Sequence, residues 1–367
     1  MQCLRRGAAA LALAALAVPP LGAQPAGGSR YSVTEYARIE DPGDSPVVRR
    51  INGRDEIAAG ISRGKGRNAA PRALILTAGG AIELPALQGR DFSASYGLND
   101  DGEVAGAFNG DVAIRPFRSM RRAGFVALPV LPGHTGGIAY GINARGDSVG
   151  YSSGAEGVRA VWWTRNGEIQ LLPSPPGTDS RAFAVNNRGD VVGSVGEQPA
   201  RAVIWPAKAQ AVELGTLPGF AGSEALATNN RGDVVGNALG ADGAPNRSRA
   251  VLWEAGRGGL QDLGALPGDT DSRAHDINAR GDVVGSSRGP AGDRAFLWTP
   301  RGGMADLNAL VSLPGAVLVE ALGINDRGSI VAIAQETEEH APGAGHDGGD
   351  HGDHELPRRV VVLRPQR

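Results

Sequence analysis

The chain carries one cysteine in 367 residues, Cys3, close to its start. No disulfide can brace the rest, so its stability has to come from packing. Lysine is almost missing, standing only at Lys65 and Lys208, and arginine carries the basic charge. With 37 basic against 39 acidic residues the formal net charge is −2, which excludes a general polycation for nucleic acid. Long apolar runs are also missing, apart from an Ala/Leu stretch at 7–18. Arg5 and Arg6 precede that stretch, Pro19 and Pro20 break it, and small residues reach Ala23. It is shorter than the ~20 residues a membrane helix needs. Residues 1–23 therefore read as a secretory signal peptide and 24–30 as a linker. The expectation is an exported protein, periplasmic or extracellular, with no transmembrane segment.

What is abundant is glycine and proline, 56 and 24 residues, a composition that favours turns and short strands over long helices. Beyond the leader, the chain exceeds the ~250–300 residues that one hydrophobic core serves. A repeat is the natural solution, and one is present. Asparagines close a short apolar run at Asn52, Asn99, Asn143, Asn186, Asn229, Asn278 and Asn325, spaced 43 to 49 residues apart. Three residues on stands Gly in every unit but the first, where Asp55 replaces it. Seven residues on stands Gly in five units, with Ala59 and Ala332 in the others. An arginine then opens a strand-like run at 72, 115, 159, 201, 249, 294 and 358, followed four residues later by Trp163, Trp205, Trp253 or Trp298 in four units.

Each unit holds four short β-type runs, A to D, bounded by Gly, Pro, Asn and Asp. Four strands at a period near 45 is the signature of a propeller blade. The predicted fold is all-β: one domain over 31–367, a seven-bladed β-propeller of four-stranded blades. The last unit reaches its strand C at 358–365 without a strand D. The run 31–39 resembles a displaced D strand, so it is expected to pair with 358–364 and close the ring.

Four Arg-Gly-Asp triplets, at 145–147, 188–190, 231–233 and 280–282, fall in the A–B turn. Their neighbours drift ("DDGE" at 100–103, "DRGS" at 326–329) while Gly stays, so the triplet reads as turn chemistry. On this reading Arg and Asp are compatible polar residues at an exposed tip, not an adhesion motif.

Units such as "DLGALPGDTDSRAHDINARGDVVGSS…RAFLWTPRGGMADL" resemble the His-Ala-Phe (HAF) extracellular repeat family of bacterial exported proteins, over about residues 31–364. The family's namesake triplet begins with His. Here that position is Arg in all seven units, with Arg294-Ala295-Phe296 the nearest match. The resemblance implies location and shape, not an activity.

In a propeller of this connectivity the D-to-A and B-to-C loops share one face and the A–B and C–D hairpins the other. The B-to-C loops vary most, which makes their face the candidate binding face. The repeated Arg opens strand C near it. Two readings stand: a guanidinium ring for acidic sugars, or pairing within the scaffold with acids such as Asp179, Asp269 or Asp271. The repeated Trp reads as blade-interface core. The insertion 335–357 is rich in His, Asp and Gly; His346, His351 and His354 with Asp350 form a candidate weak Zn or Ni site, against a solvated low-complexity segment. No nucleophile–base pair is legible, although carboxylates, His or Tyr converging in the central channel would signal an enzyme. The sequence thus points to a monomeric exported binding module for an unknown ligand, with an anionic glycan as the candidate. A hydrolase or lyase of an extracellular polymer is the alternative, and a structural surface or matrix protein a third.

Overall fold

The computed structural model describes residues 29–39, 47–62, 71–84, 92–120, 124–241, 247–256, 258–337 and 356–366. It forms seven four-stranded antiparallel sheets. The inner A strands are Val47–Ile51, Ser93–Leu98, His134–Ile142, Ser180–Val185, Gly222–Thr228, Asp271–Ile277 and Ala316–Ile324, one for each of blades 1 to 7. In blades 1 to 6 the strands follow in chain order from axis to rim. Blade 7 takes Tyr31–Ile39 as its outer strand, paired antiparallel with Arg358–Pro365 from Tyr31 opposite Pro365 to Ile39 opposite Arg358. The expected closure is what the structure shows. Among the described residues no helix is long and apolar enough to cross a membrane. The signal peptide expected at 1–23 and most of the His/Asp insertion lie outside the described residues.

The core sits between blades. One cluster joins Trp162 and Val149 of blade 3 to Val191 and Trp205 of blade 4; another joins Val284 and Ala295 of blade 6 to Leu318 and Val361 of blade 7. The repeated Trp163, Trp205, Trp253 and Trp298 are all buried, as core residues should be. The Nε1 groups of Trp163 and Trp205 donate to the carbonyls of Pro129 and Pro173, at 2.8 and 2.7 Å. Serines opening strand A add polar links. Ser180 Oγ accepts from the Ala160 amide of the preceding blade at 2.9 Å, and Ser223 and Ser272 accept likewise from Ala202 and Ala250 at 3.0 Å.

The repeated asparagines explain their own recurrence. In each turn the side-chain oxygen accepts from backbone amides two and four residues on, as Asn186 does from Arg188 and Asp190. The side-chain amide donates to the backbone carbonyl of the next asparagine: Asn52 to Asn99 (3.1 Å), Asn99 to Asn143 (3.0 Å), Asn143 to Asn186 (3.5 Å), Asn186 to Asn229 (3.1 Å), Asn229 to Asn278 (3.1 Å) and Asn278 to Asn325 (3.4 Å). Asn325 then donates to Asn52 at 2.9 Å and closes the circuit.

The acid four residues after the asparagine is not an idle tip residue, and here the sequence reading needs correcting. Asp190 is buried, and its Oδ2 accepts from Asn186 at 3.0 Å and from the Arg188 guanidinium. Its Oδ1 faces the amide of Ala207 in the C–D hairpin at 3.3 Å. Asp147 and Asp233 make the same link to Arg165 and Ala255. Glu56 and Glu103 fill the role in blades 1 and 2. Only the Arg of the triplet is exposed; its Gly is buried with φ near +90°, a backbone that favours glycine. The carboxylate an adhesion receptor would need is thus committed to the scaffold.

Blade 7 has Ser329 at that acid position. Asp55 of blade 1 supplies the missing carboxylate, accepting from Asn325 Nδ2 at 2.9 Å and from Arg364 Nε at 2.7 Å. It does so at φ +60°, standing where the other units have glycine. Arg364 also reaches Thr34 and Tyr36 on the closing strand, so the seam is latched by side chains as well as by the sheet.

Candidate active site

Every inner strand carries a register shift one turn before its asparagine, for example between Ala139 and Gly141, Ala182 and Ala184, and Ala274 and Asp276. Such a bulge adds a residue to one strand and re-aims its side chain. The glycine seven residues after the asparagine makes room for it: a Cβ on Gly236 would lie 1.8 Å from the carbonyl oxygen of Glu224, and one on Gly193 1.9 Å from that of Arg181. The extra residues are Tyr96, Tyr140, Phe183, Leu226, His275 and Leu322 in blades 2 to 7; in blade 1 the shift spans Arg49 and Arg50. They meet around the axis. The rings of Tyr96 and Tyr140 are 5.2 Å apart, and those of Tyr140 and Phe183 5.6 Å.

The channel is therefore two-sided. Blades 2 to 4 give an aromatic arc, extended by Tyr151 at 5.9 Å from Tyr140 and Arg181 at 6.0 Å from the Tyr151 ring. Blades 5 to 7 and 1 give a charged arc. His275 Nε2 lies 3.0 Å from Glu320 Oε1. Burial pushes the Glu320 carboxyl up, but His275, Arg49 and Arg273 outweigh it and hold the group below the ordinary glutamate range. Glu224 goes the other way: burial raises it, and Arg273 and Arg181 offset this only in part. Tyr96, Tyr140 and Tyr151 are all raised, chiefly by burial, and stay neutral hydroxyl donors. Two carboxyl groups pushed in opposite directions on either side of Arg273, with a histidine on one of them, suit proton removal at one atom and proton delivery at another.

On the D-to-A and B-to-C face the charged arc opens into a cavity of about 500 Å³, lined by Arg49, Arg273, Arg288, Glu320, Gln335 and Arg358 among others. Arg288 is taken by Asp293 at 2.6 Å. Arg49 has no hydrogen-bond or ion-pair partner among the described residues, and Arg273 has only Ser248 Oγ at 3.3 Å. Two exposed guanidinium groups, neither in ion-pair contact with a carboxylate, thus flank the His275–Glu320 pair.

The far end of the channel is closed. The Arg50 guanidinium reaches from blade 1 to Asp276 of blade 6 and to the carbonyl of Leu226 in blade 5 at 3.3 Å. Asp276 is buried and also accepts from the Ile324 amide at 3.1 Å. Beyond this plug lies a smaller cavity, about 230 Å³, walled by the asparagine turns.

The residues singled out from the sequence fall elsewhere. Of the arginines opening strand C, four are tied into the scaffold. Arg159 pairs with Asp179 (3.4 Å), Arg201 with Glu213 (3.0 Å), Arg249 with Asp262 (3.8 Å), and Arg294 with Asp269 (2.9 Å) and Asp306 (3.1 Å). Asp271 accepts from the Ser248 amide instead and lines the cavity. His346, His351, His354 and Asp350 lie outside the described residues. Among the described residues no group of three or more His, Cys, Asp or Glu is placed to hold a metal. The channel residues escaped notice because they do not repeat; what marks them is the departure from the repeat three and five places before each asparagine.

No protein-family model matches the chain, and no curated protein matches it. Solved structures do match, as propellers. Virginiamycin B lyase from Staphylococcus aureus is 13% identical with a TM-score of 0.54, covering 91% of this chain and 99% of its own. The β-propeller domain of the trilobed protease from Pyrococcus furiosus is 10% identical with a TM-score of 0.54, covering 88% and 95%. An oligogalacturonate lyase in complex with manganese is 12% identical with a TM-score of 0.52, covering 94% and 95%. At these identities the likeness is one of fold. The Pyrococcus domain is described as an open velcro; here the terminal strands pair and close the ring.

Proposed function

We propose that the chain is an acid–base enzyme acting on an acidic extracellular ligand, entered from the D-to-A and B-to-C face. The observation that carries this reading is the His275–Glu320 pair set between Arg49 and Arg273, with Glu224 beyond Arg273. The chemistry it suits best is elimination next to a carboxylate. Arg49 and Arg273 neutralise the substrate carboxylate, which lowers the cost of the carbanion-like charge formed beside it. Glu320, kept ionised 3.0 Å from His275 Nε2, favours by its charge the proton on that nitrogen and leaves the lone pair on Nδ1 to take the proton α to the carboxylate. The electron pair of that C–H bond forms the new double bond as the β C–O bond breaks, and Glu224, whose proton burial holds more firmly, gives it to the departing oxygen. Lyases stand among the fold neighbours, but at these identities the likeness is one of fold and carries no activity over.

The test is incubation with a panel of acidic polysaccharides, following the ultraviolet absorbance of an unsaturated product together with new reducing ends. Both signals together indicate elimination; reducing ends alone indicate hydrolysis. Saturable binding without turnover by any polymer would return the protein to a binding module. That second reading keeps the Arg49 and Arg273 guanidiniums and dispenses with the histidine. The Ala/Leu run at 7–18 and the HAF resemblance fit either reading.

A further inference from the structure

The two arcs of the channel are chemically unlike, and the plug beneath them makes the site blind. An acid bound only by charge needs the arginines and nothing else. Here Tyr96, Tyr140 and Phe183, with Tyr151 beside Tyr140, form an aromatic wall whose tyrosines lie within reach of the Arg49 charge, and its hydroxyls stay protonated. Such a wall offers apolar faces to the C–H side of a ring and donors to its oxygens. The Arg50–Asp276 plug, tied to Leu226 and Ile324, stops anything threading through to the asparagine mouth. The cavity of about 500 Å³ on the arginine side, lined by Arg49, Arg273 and Glu320 and not by the aromatic residues, is in the range that takes a small ligand.

We infer that the site binds the chain end of an acidic glycan: one uronate ring lies against the Tyr96–Tyr140–Phe183 wall with its carboxylate on Arg49 and Arg273. This rests on the acidic-ligand reading above and adds two requirements to it, a cyclic ligand and a terminal one. An open-chain acid finds the arginines but leaves the aromatic wall unfilled. A neutral sugar finds the wall but leaves two guanidiniums without an anion.

Calorimetry on the intact chain tests it with three uronates (galacturonate, glucuronate and mannuronate), galactose as the neutral ring, gluconate as the open-chain acid, and oligogalacturonides of increasing length. At least one uronate should bind about tenfold or more tightly than galactose and gluconate. Arg49→Gln and Tyr140→Leu should each weaken it by about tenfold. The stoichiometry should stay at one protein per oligosaccharide chain as the chain lengthens. Gluconate binding as well as every uronate, with Tyr140→Leu without effect, would overturn the ring requirement while the acidic-ligand reading stands. Several proteins loading on one long chain would overturn the chain-end requirement. No binding by any acid would bring down the acidic-ligand reading as well.

Discussion

The two mouths of the channel are built from the same seven strands and have opposite characters. At the asparagine mouth every blade contributes the same turn, the polar groups satisfy one another, and the side chains answer to packing. At the other mouth two positions, three and five residues before each asparagine, carry changing side chains: Arg49, Tyr96, Tyr140, Arg181, Glu224, His275 and Glu320. Symmetry marks the end that holds the ring together, and its breakdown marks the end proposed to meet a ligand.

The sharpest way to break this contrast is to remove a side chain from the asymmetric mouth. His275→Ala should lower turnover by about 10²–10⁴-fold while leaving the melting temperature within a few degrees. Retained turnover would end the division of labour. The pH profile sharpens it. Glu224 is raised by burial and must be protonated, so kcat/KM should fall on the basic side above the ordinary glutamate range.

At the symmetric mouth the same kind of change should show as stability. Asn186→Ala strands Asp190, the Asn229 carbonyl and two turn amides, and should cost about 3 kcal/mol in denaturant melts. Its exposed neighbour Asn187, whose side chain meets one backbone amide, should cost under about 1 kcal/mol on the same change. Equal costs would show that the circuit is incidental.

Asp55→Asn tests the seam. Burial would raise the Asp55 carboxyl, but Arg364, Ser329 and Asn325 overcome this and hold it below its ordinary value. A group depressed in the folded state stabilises above its unfolded pKa, and that contribution fades as pH falls through the folded value. The variant should lose about 1 kcal/mol at neutral pH, modest because Arg364 is one-third exposed, and should match the parent in strong acid. A gap that persists in acid would point to backbone strain instead.

The smallest effect is expected at Asp190→Glu. Glu56 and Glu103 already do this work in two blades, so the change should shift stability by less than about 1 kcal/mol. With Asp147, Asp233 and Asp282 changed as well, cell attachment should not move; integrin-dependent attachment lost in that variant would restore the adhesive reading of the triplet.

Blade number, strand order, the closing strand and the tryptophan core were legible because seven copies of one packing problem leave seven copies of its answer. The pairing of the strand-C arginines was legible as one of two options, since Asp179 and Asp269 recur in the loops beside them. The channel was not. Glu224, His275 and Glu320 are single occurrences, brought together by a bulge whose only trace in the sequence is a glycine on the neighbouring strand. The role of the turn acid was missed for a related reason: one of its partners, the Ala207 amide for Asp190, lies in the C–D hairpin, out of reach of local pattern.

The asparagine circuit has a sense of rotation. Each side-chain dipole points to the next blade, and seven of them placed tangentially around a closed loop sum to no net dipole in its plane. A file of amides pointing along the axis would have laid a field down the channel and shifted every ionisable group in it. Arranged as a whirl, the same seven amides hold the ring shut and leave the potential at Glu224, His275 and Glu320 to the arginines beside them.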